Sequence, residues 1–206
     1  MKKKDLAVLL SGLLSFGGKE LKLEQHQTDG EIAADVLWRA FIEGNVVGKL
    51  AADFGCGNGV LGIGALILGG RKVIFLDRDE EAVSLAKKNL ELVQKCVGKR
   101  FDSEFIKEDV VDFNRKVDVV IMNPPFGVKK RGADIVFLGK AFECAEVVYS
   151  LHKIEGKGFL GNFALENYFN DTLLAEYDFP LRKSKAWHRK KVHYVRVGLW
   201  RFEKKI

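Results

Sequence analysis

The sequence predicts an α/β fold with a doubly wound, mostly parallel seven-stranded sheet and a C-terminal antiparallel hairpin. Short runs of β-branched and aromatic residues alternate with longer stretches of helical periodicity, and this alternation is typical of parallel sheets covered by helices on both faces. The chain has 206 residues, of which 47% are hydrophobic, so one core can be buried. We therefore expect a single domain over residues 1–206.

Seven segments have the composition of strands: Lys49–Phe54, Lys72–Asp77, Ser103–Lys107, Val117–Met122, Val147–His152, Leu173–Tyr177 and His193–Phe202. Helices are predicted at the amphipathic start of the chain and over Val60–Leu68, Asp79–Lys95 and Ala133–Ala145. Three glycines interrupt the apolar pattern of Lys157–Asn170 and leave that segment ambiguous. A polar, basic segment joins the last two strands, which predicts that they form the antiparallel hairpin.

Composition excludes several classes of protein. No apolar run approaches the ~20 residues that a membrane-spanning helix needs. Cys56, Cys96 and Cys144 are scattered and form neither a disulfide framework nor a metal-binding pattern, so we expect a cytoplasmic protein without a metal site. The net charge is +6, although the segment 182–206 alone has ten Lys or Arg and one acid. Clustered positive charge is typical of nucleic-acid binding, while a solvated lysine-rich tail is the alternative.

A glycine-rich segment, Asp53–Gly59, follows the first predicted strand, and Asp77 ends the next one. Glycines permit a tight turn whose N–H groups approach a ligand, and a terminal acid can accept hydrogen bonds from ribose hydroxyls. An ordinary strand-to-helix turn is the alternative. The acid before G-x-G-x-G suits a cationic amino-acid end better than a pyrophosphate. The motif resembles that of class I methyltransferases, which implies S-adenosylmethionine as the cofactor. By this resemblance Asp53, Gly55 and Gly57 surround the methionine part, Asp77 holds the ribose and Asp109 lies at the adenine edge.

The motif Asn123-Pro124-Pro125-Phe126 follows the fourth predicted strand. Two prolines stiffen the turn, so the Asn123 side-chain oxygen and the Pro124 carbonyl can both accept hydrogen bonds from one exocyclic amine. Such acceptors stabilise the positive charge that develops on nitrogen during methyl transfer. Phe126 is predicted to stack on a flipped-out base, and Asn123 also to face the cofactor. A strand-terminating turn is the alternative. The motif is typical of methyl transfer to adenine, guanine or glutamine nitrogens.

Further segments, Leu23–Thr28, Tyr149–Lys153, Tyr177–Pro180 and His188–Lys191, resemble the methyltransferase-like five family. Its members methylate the 6-amino group of an adenosine in small-subunit ribosomal RNA. The resemblance implies that Gln25 and Thr28 contact S-adenosylmethionine, so that 1–30 forms an N-terminal helix and a segment closing over the cofactor. It also implies a small zinc-binding activator subunit docked along a strand edge. The alternative for Thr28 is a helix N-cap, because Glu31 has capping-box spacing.

Eight residues near the motif and in the basic C-terminal region are candidate RNA contacts: Lys129, Lys130, Arg131, Lys185, Trp187, His188, Arg189 and Lys190. Cations bind phosphates, and an aromatic ring among them suits stacking on unpaired RNA. Trp187 could equally anchor a loop on the domain. The sequence therefore predicts an RNA adenine-N6 methyltransferase. A guanine-N2 or glutamine methyltransferase and a non-catalytic RNA-binding module are the alternatives.

Overall fold

A seven-stranded sheet forms the centre of the protein. The computed structural model describes residues 1–16, 27–126, 132–181 and 193–205. The strands are Leu50–Phe54 (β1), Lys72–Asp77 (β2), Ser103–Lys107 (β3), Val119–Met122 (β4), Val147–Lys153 (β5), Phe169–Leu181 (β6) and His193–Lys204 (β7). They lie in the order β3-β2-β1-β4-β5-β7-β6. The first five are parallel and β7 is antiparallel to both neighbours, so the predicted fold class is confirmed.

Six helices accompany this sheet in the described part of the chain: Lys3–Ser11 (α1), Gly30–Ile42 (α2), Val60–Ile67 (α3), Glu80–Val97 (α4), Ala133–Cys144 (α5) and Lys157–Glu166 (α6). Helices α1 to α4 contribute to the hydrophobic cluster on one face of the sheet, and α5 and α6 to the cluster on the other face. Successive strand residues alternate between the two: Val73 and Phe75 pack in the first, Ile74 and Leu76 in the second. The alternation follows from the two-residue period of a β-strand, and it confirms the doubly wound arrangement.

The structure assigns a helix to the segment that the sequence left ambiguous, and it lengthens one predicted strand. The ambiguous segment forms α6, because Leu160 and Ala164 bury one side of the helix while Gly158 faces open space. Strand β6 is much longer than the predicted Leu173–Tyr177, since it pairs with β7 over almost its whole length, with one register shift. The basic segment predicted to join β6 and β7 lies outside the described residues. No helix in the described ranges is long and apolar enough to cross a membrane.

A cavity at the carboxyl edge of the sheet

One cavity of about 420 Å³ lies where the first four parallel strands end. It is lined by the turn after β1, by Asp77 at the end of β2, by Asp109 after β3 and by Asn123, Pro124 and Pro125 after β4. In doubly wound sheets the carboxyl ends of parallel strands meet at one edge, where ligands bind. The fold therefore brings together residues that are far apart in the sequence.

The turn after β1 is held by the carboxyl group of Asp53. Its Oδ2 accepts a hydrogen bond from the backbone N–H of Gly62, in the first turn of α3, at 2.8 Å. The turn between them has positive φ angles of 68° at Gly55 and 55° at Gly57, which glycine adopts without steric cost. Burial is the main reason why the pKa of Asp53 is raised to about 7, and the nearby charge of Asp77 adds to it. The hydrogen bond from Gly62 opposes that rise.

Asp77 joins the turn to the following strand. Its Oδ2 accepts from the Gly57 N–H at 3.1 Å, and its Oδ1 accepts from the Asp79 N–H at 3.0 Å. Burial raises the pKa of Asp77 above its usual value, although these two N–H groups counteract the rise. A carboxylate has about four lone-pair sites, so Asp77 retains acceptor capacity towards hydroxyl groups in the cavity.

Asp109 lies farther along the same edge. Its Oδ1 accepts a hydrogen bond from the Val111 N–H at 3.3 Å and so caps a short 3-10 helix over Val110–Asp112. The Arg78 guanidinium is 3.9 Å from the other carboxylate oxygen. The side chain therefore has a structural role in addition to lining the cavity.

Asn123 is oriented by a residue that is remote in sequence. Its Nδ2 donates a hydrogen bond to Oγ1 of Thr28 at 2.9 Å, and Thr28 is only 5% exposed. Since Nδ2 is the donor, Oδ1 is the acceptor end of the amide. The proposed N-cap role of Thr28 is wrong, because Asp29 caps α2 by accepting from the Glu31 N–H at 2.8 Å. Thr28 contacts the predicted catalytic turn and lines the cavity.

Phe126 is placed away from the cavity. The side chain is 6% exposed, and its ring packs edge-on against Phe179 with centroids 5.4 Å apart. In this arrangement the ring is part of the hydrophobic cluster shared with α1 to α4 and presents no face to a base. Stacking by Phe126 on a base would require the ring to leave the core.

Several cavity residues were not anticipated from the sequence. Phe16 follows α1, Asn58 lies within the glycine turn, and Val136 and Phe137 face the cavity from the start of α5. A Cβ on Gly55 would be 3.1 Å from the Phe137 ring, so the glycine makes room for that aromatic side chain. Phe137 could have been found from the sequence, because it is the aromatic residue one turn into the helix that follows the Asn-Pro-Pro motif.

A buried histidine links β5 to α5 behind the cavity. Ser150 Oγ is 2.8 Å from His152 Nε2, and Asp134 Oδ2 is 3.4 Å from Nδ1. The order of residue types is that of a hydrolytic triad, but Ser150 is 0% exposed and does not line the cavity. The three residues therefore connect β5, the strand beside the predicted catalytic turn, to the first turn of α5.

The remaining predicted contacts lie outside the described residues. They are the cofactor contact Gln25 and all eight candidate RNA contacts: Lys129, Lys130, Arg131, Lys185, Trp187, His188, Arg189 and Lys190. Their roles stay predictions from the sequence. Within the described ranges, no group of three or more His, Cys, Asp or Glu residues could hold a metal ion.

The cavity fits S-adenosylmethionine in its donor set and shape. Asp77 offers carboxylate oxygens for ribose hydroxyls, while Val110, Val111 and Val136 give apolar walls for an adenine ring. An added Cβ at Gly57 would lie 4.0 Å from both the Gly55 carbonyl oxygen and the Phe16 ring, so this ring borders the cavity at the glycine turn. Asp53 supplies a carboxyl group for a cationic amino-acid end.

Comparisons with known proteins agree with this geometry. The family described as methyltransferase small domain matches residues 28–146. The zebrafish rRNA N(6)-adenosine-methyltransferase METTL5 is 33% identical over 98% of this chain and 99% of its own length. The fruit fly protein of the same name is 30% identical over 98% and 97%. The chain belongs to the METTL5 family of the small-domain methyltransferases.

Archaeal proteins resemble this METTL5-family chain as well. An uncharacterized protein, MJ0284 of Methanocaldococcus jannaschii, is 34% identical over 99% of this chain and 95% of its own. The crystal structure of PH1948 from Pyrococcus horikoshii superposes with a TM-score of 0.87 at 39% identity, covering 99% and 98% of the two chains. A magnesium protoporphyrin IX methyltransferase with bound SAM shares the fold, with a TM-score of 0.63 at 18% identity and 84% and 78% coverage. The METTL5-family chain thus has a class I methyltransferase fold over nearly its full length.

Proposed function

We propose that this protein is an S-adenosylmethionine-dependent methyltransferase that modifies the 6-amino group of an adenosine in small-subunit ribosomal RNA. The observation that carries the proposal is the hydrogen bond from Asn123 Nδ2 to Thr28 Oγ1. This bond occupies the donor end of the amide, so Oδ1 remains the acceptor end of a side chain that lines the cavity. The named activity of METTL5 relatives in animals supports adenine as the target base.

The cofactor's contribution is a methyl group on a positively charged sulfur. The protein's residues prepare the incoming amine. Oδ1 of Asn123 and the Pro124 carbonyl accept the two N–H bonds of the exocyclic amine, and the prolines hold both oxygens in place. As the nitrogen lone pair bonds to the methyl carbon, the carbon–sulfur bond would break with its electron pair left on sulfur, and the positive charge would pass to the nitrogen. The two acceptors stabilise that charge more in the transition state than in the ground state, and water then removes the surplus proton.

RNA binding in this proposal depends on the basic segments. The residues 129–131 follow the catalytic turn directly, and the segment 182–206 has ten cations and one acid. Phosphate contacts from Lys and Arg give affinity without sequence specificity. The selected adenosine is then set by RNA shape and by the fit of the base in the cavity.

A small zinc-binding activator subunit is part of the proposal. Strand β3 ends one side of the described sheet, and an edge strand offers a row of backbone donors and acceptors to another chain. Co-purification of the tagged protein from its native cells, followed by zinc analysis of the eluted complex, tests this. The protein eluting without any stoichiometric zinc-containing chain would contradict it.

The cytoplasmic setting also stays a prediction, supported by three cysteines that are all free thiols.

The activity is tested by nucleoside analysis. Ribosomal subunits from a strain that lacks the gene are incubated with the purified protein and cofactor with a deuterated methyl group, and each RNA is digested and analysed by mass spectrometry. We expect labelled N6-methyladenosine in the small-subunit RNA alone, and none with the Asn123→Ala variant. Labelled N2-methylguanosine or labelled glutamine in protein would instead identify one of the alternative substrates, and label in neither RNA nor protein would contradict the proposal.

A further inference from the structure

The N-terminal segment reaches the cavity through the ring of Phe16. Phe16 lines the cavity, and its Cε2 is 4.0 Å from where a Cβ on Gly57 would lie. The Gly57 N–H is bonded to Asp77. The ring therefore stands over the part of the glycine turn that leads to the carboxylate predicted to hold the ribose.

Two buried asparagines hold the backbone just before Phe16. Asn89 accepts from the Leu14 N–H through Oδ1 at 2.8 Å and donates to the Leu14 carbonyl through Nδ2 at 3.0 Å. Asn58 donates to the same carbonyl through Nδ2 at 3.2 Å. Nδ2 of Asn89 also donates to the backbone carbonyl of Asn58 at 2.9 Å. The glycine turn, α4 and the N-terminal segment are thus tied together at one point.

The burial of these two amide side chains indicates that they hold the chain that follows α1. Asn89 is 0% and Asn58 is 2% exposed, and a buried amide is costly unless its donors and acceptors are paired. Asn89 lies on the apolar face of α4, between the buried Ala86 and Leu90, where a hydrophobic residue would bury more apolar surface. Docking of α1 itself is already provided by Leu6 and Leu10 in the core. The two asparagines additionally hold the residues that follow α1 in a fixed position.

We propose that Phe16 is a cofactor-contacting residue and that Asn58 and Asn89 are positioning residues that hold its ring over the glycine turn. The ring covers the ribose and methionine part of S-adenosylmethionine and excludes water from it. The inference rests on the cofactor assigned under the proposed function and is independent of the RNA substrate.

Calorimetry of cofactor binding tests the role of Phe16 without any catalytic turnover. S-adenosylhomocysteine and S-adenosylmethionine are titrated separately into the wild-type protein and into Phe16→Ala. Because the ring removes apolar ligand surface from water, we expect the Kd of both ligands to rise about tenfold. Phe159→Ala, which truncates an exposed phenylalanine on α6, is the matched control and leaves Kd unchanged.

A double-mutant cycle tests the positioning role. Asn89→Ala alone raises Kd several-fold, and Phe16→Ala combined with Asn89→Ala binds no more weakly than Phe16→Ala alone, since both changes act through the same ring. A merely structural role of Asn89 would instead add its own decrease in affinity to that of Phe16→Ala. Asn58→Ala is measured in parallel in case Asn89→Ala does not fold.

The outcomes separate this inference from the proposed function. A Kd for Phe16→Ala within twofold of the wild-type value, or fully additive effects in the cycle, would overturn the inference while leaving the cofactor assignment intact. Failure of the wild-type protein to bind either ligand would instead overturn the cofactor assignment itself.

Discussion

Asp53 is fully buried and lies where the amino-acid end of the cofactor is predicted to bind. Burial raises its pKa to about 7, compared with ~3.9 for an exposed aspartate. Between these two values the folded protein binds more protons than the unfolded chain does. The contribution of Asp53 to stability therefore falls as the pH rises from ~4 to ~7. A carboxyl group that is destabilising when ionised is characteristic of a functional site, which agrees with the proposed role of Asp53 beside a cationic group.

Cofactor affinity should accordingly depend on the ionisation of Asp53. Because a nearby ammonium group favours the carboxylate, we expect the Kd of S-adenosylmethionine to fall as the pH is raised from 5.5 to 7, with a proton released on binding at the lower pH. Calorimetry in buffers of different ionisation enthalpy measures that proton. Asp53→Asn should bind more weakly and lose this part of the pH dependence. Equal proton release by the wild-type protein and the variant would contradict the assignment.

Thr28 is expected to act on the reaction through Asn123. Thr28→Val keeps the shape of the side chain but removes the acceptor for Asn123 Nδ2, so the amide loses its fixed orientation. We predict a fall in kcat of about tenfold, while Thr28→Ser, which retains the hydroxyl, stays close to the wild-type rate. Single-turnover methyl transfer at saturating cofactor gives the comparison. An unimpaired Thr28→Val variant would show that Asn123 is held by other contacts.

At the residue scale, the sequence predicted the parts of the site that local motifs encode. Asp77 and Asn123 follow apolar strands, so their meeting at one edge of the sheet follows from the parallel topology. The Thr28 contact to Asn123 joins residues 95 positions apart and has no local signal. Phe126 was placed wrongly for a similar reason, because the apolar side chain that packs against it, Phe179, comes from the distant strand β6.

At the scale of elements, a cluster around Asp35 fastens α1 and β6 to α2. Its Oδ1 accepts from Lys3 Nζ at 2.7 Å, and its Oδ2 accepts from Arg39 Nε at 2.9 Å and from the Tyr177 hydroxyl at 2.7 Å. Burial alone would raise the pKa of Asp35, but these three donors outweigh it and lower the pKa to about 2. The cluster thus connects the N-terminal helix that leads to Phe16 with the last part of the sheet.

This cluster predicts a pH dependence of stability. Since the folded-state pKa of Asp35 lies below its unfolded value, its stabilisation is present above pH ~4 and disappears as the pH falls towards 2. We expect Asp35→Asn to be less stable than the wild-type protein at pH 7, and the difference to shrink at pH 3. Urea denaturation at the two pH values measures it, with the exposed Asp178→Asn as control. If the difference in unfolding free energy between Asp35→Asn and the wild-type protein is the same at both pH values, the role of the carboxylate is contradicted.

The helices and strands were predictable to the extent that local pattern determines them. The bounds of β2 and β3 agree with the prediction residue for residue, because in each strand the apolar residues lie between polar residues at both ends. Strand β6 could not be delimited from Leu173–Tyr177 alone, since its polar residues at the start are held by pairing with β7. Helix α6 forms despite its glycines because two buried side chains anchor it, a tertiary effect that propensity does not include.

At the scale of the whole molecule, positive charge is unevenly distributed along the sequence. The net charge of +6 arises from 34 basic and 28 acidic residues, and the cations are concentrated beyond residue 181. We predict that changing Lys129, Lys130 and Arg131 to alanine weakens RNA binding. The slope of log Kobs against log salt should fall in magnitude by about 0.7–0.9 for each phosphate that the variant no longer neutralises.

Filter binding across a salt series provides this slope. The control replaces three exposed lysines of α4, Lys87, Lys88 and Lys95, by alanine, so the net charge changes equally at another site. Cofactor affinity should be the same in both variants. Identical salt slopes for the two triple variants would show that the residues 129–131 make no phosphate contact.

In the proposed mechanism two fixed oxygens, Oδ1 of Asn123 and the carbonyl of Pro124, accept the hydrogens of the amine that is methylated. Single-turnover methyl transfer by Asn123→Ala, combined with calorimetry of S-adenosylmethionine binding, tests it most directly, with Asn167→Ala on the α6 side of the protein as control. We expect a transfer rate at least about 100-fold lower and a cofactor Kd close to that of the wild-type protein. A variant that transfers methyl groups at the wild-type rate would contradict it.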